Sequence, residues 1–104
     1  VTASLEITSE HHQPAGYLHG GVSVSLGETV CSIGAYLAAP DGKNAFGMEI
    51  NANHTRSKKE GTLHAVAEPL HTGRTSQVWS YRITDEEDRL VCTGRCTIAV
   101  VDAK

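Results

Sequence analysis

From Gly20 to Ala39 the chain reads GGVSVSLGETVCSIGAYLAA, and Glu28 is its single charge. Pro40, Asp41 and Gly42 follow as a stop and a turn, so the segment predicts a helix of about 20 residues, about 30 Å long. At about 100° per residue, Val22, Leu26, Val30, Ile33 and Leu37 fall in a stripe about 80° wide, which is expected to lie on a sheet. Val24, Cys31 and Ala35 fall opposite, with Glu28 in their sector. Ser23, Gly27 and Gly34 line one flank, where small side chains let another backbone come close. A sheet covers one face, so the second is expected to meet another subunit.

On both sides of this helix the apolar period is two. Val1, Ala3, Leu5 and Ile7 alternate with Thr2, Ser4, Glu6 and Thr8, as in a half-buried strand. Residues 9–18, with Pro14 and Gly16, read as a loop. Further strands are expected over 46–56, 62–71, 75–84 and 89–100, and their short connections make antiparallel neighbours. The fold class is therefore α+β, one long helix against a five-stranded antiparallel sheet. A chain of 104 residues allows one domain, 1–104, with a modest core that oligomerisation would enlarge.

Nine Lys and Arg against twelve Asp and Glu give a net charge of −3, which offers no electrostatic case for nucleic acid or an anionic membrane as partner. No uninterrupted apolar run approaches the roughly 20 residues that span a bilayer, and no basic-then-apolar leader is expected. Cys31, Cys92 and Cys96 are odd in number and lack paired spacing, so reduced, buried thiols and a cytoplasmic home are expected. His11 and His12 have no carboxylate or cysteine at helpful spacing, and no metal site is expected. His64 and His71 sit in strand pattern as surface or packing residues, and Trp79 and Tyr81 as sheet-packing residues.

An ionised carboxylate inside an apolar helix is costly without partners, so Glu28 reads as a working group. Ser32 lies one turn further along the same face, placed to orient it or share a ligand. His19, Gly20 and Gly21 stand at the helix start, where free N–H groups and the helix dipole favour a developing negative charge. Together these are the parts needed for attack on a carbonyl. The plainer alternative is a solvent-facing Glu28, a turn built on two glycines and a capping histidine.

In sequence order, HQPAGYLHGGVSVSLGETVCSIGA, GMEINANHTR and AVAEPLHTGRTSQVWSYRITDEEDRLVCTGRCTIAV closely resemble the hotdog-fold acyl-CoA thioesterases. The types resembled are the phenylacetate-degradation enzymes and their relatives acting on aryl-CoA and 1,4-dihydroxy-2-naphthoyl-CoA. The resemblance implies a helix wrapped by an antiparallel sheet and sheets joined edge to edge in a homodimer, which in the family commonly pairs into a homotetramer. It also implies hydrolysis of an acyl-CoA or aryl-CoA thioester to free acid and CoA, with no cofactor beyond the CoA of the substrate. Family members usually carry a short helical segment and further strand residues ahead of the position of Val1, which help close the acyl pocket.

By position, the resemblance makes Glu28 the catalytic carboxylate, either a nucleophile or the base that activates water. It assigns the thioester oxygen to the Gly20 N–H, the positioning of carbonyl and departing sulfur to Gln13 and His19, and the orientation of the attacking group to Ser32. His54 would approach the thioester across the dimer interface, and Gly47, His54, Thr55, Arg56 and Ser57 would contact bound substrate. His71, Thr72, Gly73, Arg74, Thr75 and Ser76 match the family's CoA-binding turn, where a glycine turn bares N–H groups and Arg74 adds a cationic fork. A different reading of the same fold is a non-catalytic module that binds acyl-CoA or acyl-carrier protein. A hotdog dehydratase would need a differently placed Asp and His pair.

Overall fold

The computed structural model describes residues 1–103. Strand β1 (Thr2–Glu6) leads through a short turn of 3-10 helix (Ser9–His11) to helix α1 (Gly20–Ala38). Then follow β2 (Lys43–Ile50), β3 (Asn53–His54), β4 (Thr62–Thr72), β5 (Ser76–Thr84) and β6 (Leu90–Asp102). The sheet is antiparallel throughout, in the order β1-β4-β5-β6-β2, and β3 continues the β2 side by pairing with β6. This is the expected layering of one long helix on one antiparallel sheet.

The expected strand over 46–56 is divided. Asn51 and Ala52 interrupt it between β2 and β3, and the Asn51 carbonyl turns to accept the Tyr81 hydroxyl at 2.7 Å. Gly94 permits this, because a Cβ there would stand 2.0 Å from that carbonyl oxygen. The loop over 9–18 is more ordered than its composition suggests. Gln13 N–H bonds the Tyr17 carbonyl (2.7 Å) and His19 N–H the His11 carbonyl (2.8 Å), so its two arms run antiparallel. Gly16, at φ 87°, takes the tip through a left-handed conformation.

The helix presents a different face to the sheet from the one its apolar stripe suggests. Ser23, Gly27, Val30, Cys31, Gly34 and Ala35 are its buried residues. Ile33 and Leu37 remain 47% and 71% exposed. The reason is volume. The sheet offers two large rings, and a Cβ would stand 2.5 Å from the Tyr81 ring at Gly27 and 2.6 Å from the Trp79 ring at Gly34. The glycines therefore admit aromatic rings from the sheet, where the sequence had suggested a neighbouring backbone. The rest of the core comes from Ile7, Leu63, Ala65, Ala67, Ile83, Val91, Cys92, Cys96 and Ile98.

By length and composition alone, the 19 residues of α1 are long and apolar enough to cross a bilayer, although no such run was expected. Here it lies along the sheet. Cys31, Cys92 and Cys96 are free and buried, and Trp79 and Tyr81 pack in the core as expected.

Candidate active site

The HGG triplet makes room for two imidazoles. His19 is the N-cap of α1, and its Nδ1 accepts the Gly21 N–H at 2.8 Å. Because a backbone amide can only donate, this ring is neutral at Nδ1 and carries its proton on Nε2, leaving that N–H to donate elsewhere. A Cβ on Gly21 would stand 2.9 Å from Nδ1. Gly20 plays the same part for His54, whose ring a Cβ would meet at 3.1 Å. The Val22 N–H bonds the His19 carbonyl at 3.0 Å. The Gly20 N–H, by contrast, has no acceptor among the described residues. Thus only one of the two glycine amides expected to be bare is available, since Gly21's is used by the cap.

Gln13 stands in the loop ahead of this helix start, with its Oε1 accepting the Ala15 N–H. That bond fixes the amide orientation and turns Nε2 into the free donor. Opposite the helix start, β3 holds His54 against β6 (His54 pairs with Cys92). Thr55 continues the pairing, its N–H on the Val91 carbonyl (2.9 Å) and its hydroxyl on the Leu90 carbonyl (2.7 Å). Between these walls lies a cleft of about 170 Å³ lined by Leu18, Gly20, Ser23, His54, Arg56, Ser57, Lys58 and Val91. A second cleft, about 260 Å³, lies at the far end of the helix around Tyr36, Leu37, Pro40 and Lys43 and contains none of the expected site residues.

Glu28 departs from expectation. It is exposed in the single chain rather than buried, because the helix packs through Gly27 and Gly34 and leaves Glu28 at the rim of that contact. It stands beside Gly47 of β2, where a Cβ would lie 3.8 Å from Glu28 Oε2 and 4.0 Å from Cys96 Sγ. The β2–β6 ladder slips one residue between Gly47 and Glu49, and such bulges re-aim the strand next to a site. Ser32 is half-buried one turn further along the helix.

The expected residues form three groups along the molecule. His19, Gly20, His54, Arg56 and Ser57 gather at the helix start, and Glu28, Gly47 and Ser32 lie around its middle. The turn from His71 to Ser76 sits at the other end of β5, near the Gln77 side chain that donates to the Ala35 carbonyl at 3.4 Å. In that turn the Gly73 N–H bonds the Ser76 carbonyl at 2.8 Å, and a Cβ on Gly73 would stand 2.6 Å from His71 Nε2. One chain does not bring this turn to the helix start.

Two residues beside the cleft were not anticipated. Asp85, buried at the β5–β6 turn, accepts the Glu87 and Arg89 N–H groups and pairs with the Arg89 guanidinium, all at 2.9 Å. Lys58 reaches it at 3.4 Å and Glu86 at 3.1 Å. Burial pushes the Asp85 carboxyl up, but the Arg89 and Glu87 amides and the guanidinium outweigh it and hold the group well below the usual carboxylate range. The sequence signal was the Lys58-Lys59 pair and, 25 or more positions on, an acidic DEED turn, which read equally as solvated charge.

Over residues 15–92 the sequence matches the Thioesterase superfamily. The chain belongs to that family. A 1,4-dihydroxy-2-naphthoyl-CoA hydrolase of Listeria monocytogenes is 54% identical over 100 residues, 96% of this chain and 81% of that protein. The proofreading thioesterase EntH of Cronobacter turicensis is 43% identical, over 97% of this chain and 74% of its own. A crystal structure of a Haemophilus influenzae thioesterase superposes with a TM-score of 0.93 at 42% identity, covering 97% of this chain and 71% of the other. As a member of this thioesterase family, the protein is a thioester hydrolase of the hotdog fold.

Proposed function

We propose that the protein hydrolyses acyl-CoA thioesters, aryl-CoA among them, to a free acid and CoA, with Glu28 as nucleophile or general base. The observation that carries this reading is the unpaired Gly20 N–H at the start of α1, beside the His54 ring and in a cleft of about 170 Å³. An amide so placed, with the helix dipole behind it, stabilises the negative charge that forms on a thioester oxygen under attack. The free Nε2–H of His19 and the Nε2 amide of Gln13 are donors suited to orient the carbonyl and the departing sulfur.

Gly20 and Glu28 are eight residues apart on one helix, a rise of about 12 Å. A single carbonyl cannot contact both, so the reading requires the Gly20 of one protomer and the Glu28 of another. Several features support a second copy. Strand β2 ends the sheet order and offers a free edge. Phe46 and Met48 on it are 58% and 60% exposed, and Tyr36 on the helix is 64% exposed. A homodimer joined there, with or without pairing into a tetramer, covers the exposed helix face and encloses Glu28. The same association is the route by which the His71–Ser76 turn reaches CoA bound at a neighbour's helix start.

Thiol release from a panel of acyl- and aryl-CoA esters tests the activity. Glu28→Gln is expected to lower kcat by about 10²- to 10⁴-fold, the range for a lost acid–base group, while the inert thioether analogue still binds. Turnover by Glu28→Gln at the unmutated rate refutes the assignment.

A further inference from the structure

Lys58 belongs to no expected set of site residues, yet it joins three elements around the cleft. Its carbonyl accepts the Leu18 N–H at 2.7 Å, tying it to the loop that carries Gln13. Its ammonium reaches buried Asp85 at 3.4 Å and Glu86 at 3.1 Å in the β5–β6 turn. Its side chain is 10% exposed, so the ammonium is committed to these two carboxylates and is not free to hold a ligand phosphate. Asp85 is itself fixed by two backbone amides and the Arg89 guanidinium. The anchor is therefore part of the sheet's own frame.

The wall of the cleft depends unequally on that anchor. His54 and Thr55 are held by β6 through the ladder and through the Val91 and Leu90 carbonyls. Beyond Thr55 the strand pairing stops, and Arg56 and Ser57 make no backbone bond among the described residues before Lys58. They span a gap between two posts, and Lys58 is the second.

We propose that Lys58, clamped to Asp85 and Glu86, is a positioning residue that holds Arg56 and Ser57 in the binding wall of the thioesterase site. The proposal rests on the reading of this cleft as the substrate site. It locates the effect: loss of the clamp loosens Arg56 and Ser57 and leaves His54 and the Gly20 amide in place. Substrate binding weakens and the chemical step does not.

The test is steady-state thiol release by the full chain on an acyl-CoA that the unmutated protein hydrolyses. Lys58→Met, which keeps the stem and removes the charge, is expected to raise KM about tenfold, with kcat within about twofold. Lys58→Arg restores most of the loss. In an Arg56→Ala background Lys58→Met adds little, because both changes act through one contact. Glu86→Ala, at an exposed position, raises KM in the same direction by a smaller factor. Unchanged KM in both Lys58→Met and Glu86→Ala, or full additivity with Arg56→Ala, overturns the proposal. If Lys58→Met does not fold, unchanged KM in Glu86→Ala alone overturns it. Failure of the unmutated protein to release thiol from any ester counts instead against the functional reading.

Discussion

The His54 imidazole rests on the bare Cα of Gly20, so that a Cβ there would meet both Cε1 and Nε2 of the ring at 3.1 Å. The ring end is free to shift by a few tenths of an ångström, so Gly20→Ala is expected to fold. It keeps the N–H but displaces the ring beside it. Such a misplacement lowers kcat/KM by about 10- to 100-fold, with an unchanged urea midpoint. Full activity would show that the ring does not bear on the reaction.

Gly27 makes the opposite prediction. A Cβ there would stand 2.5 Å from the ring of fully buried Tyr81, which has nowhere to go. Overpacking costs about 1–3 kcal/mol or more, against about 1 kcal/mol gained by replacing a helical glycine with alanine. Gly27→Ala should therefore lower stability on balance. Urea denaturation measures it, and a stabilised variant would contradict the close contact.

The two nitrogens of His19 are separable. Asparagine is among the strongest N-caps and replaces the acceptor Nδ1, but it does not reach as far as Nε2. Glutamine reaches but caps poorly. His19→Asn should keep the stability and lose activity, whereas His19→Gln should lose about 1 kcal/mol and keep more of the turnover. The reverse order would reduce His19 to its capping role.

Asp85 sets an acid limit. Its folded carboxyl lies well below the usual range despite burial, through the Arg89 and Glu87 amides and the Arg89 guanidinium. A depressed pKa contributes stability that is fully present above the unfolded value of about 4 and fades as pH falls through the folded one. The urea midpoint should drop from about pH 4 downward, and Asp85→Asn should flatten that part of the profile.

The thiols should be silent while the protein is folded. Burial first, and then neighbouring Cys96, push the Cys31 thiol up to about 12, and burial raises Cys92 and Cys96 as well. At pH 8 a thiol reagent should label none of the three rapidly in the native state and all three in denaturant. The stability tied to the neutral thiols is complete below the unfolded value of about 8.5 and declines as pH rises.

Periodicity and punctuation made the elements legible. The uncharged run closed by Pro40 gives α1, alternation gives β4, β5 and β6, and His19-Gly20-Gly21 marks the helix start. Long-range encounters were less visible. The break between β2 and β3 depends on Tyr81 and Gly94 meeting Asn51, 30 or more positions away. Lys58 and Asp85 became one device only when the β5–β6 turn came beside the cleft.

The sequence alone settled that this chain has one long apolar helix, an antiparallel sheet to cover it and a single carboxylate along its length. Which face of the helix the sheet would take was decided in three dimensions. Apolar pattern reports how much surface wants covering, whereas the covering depends on matching volumes. Tyr81 and Trp79 fit only over Gly27 and Gly34, and that choice turns Ile33 and Leu37 outward and leaves Glu28 at the edge, open to solvent in the single chain.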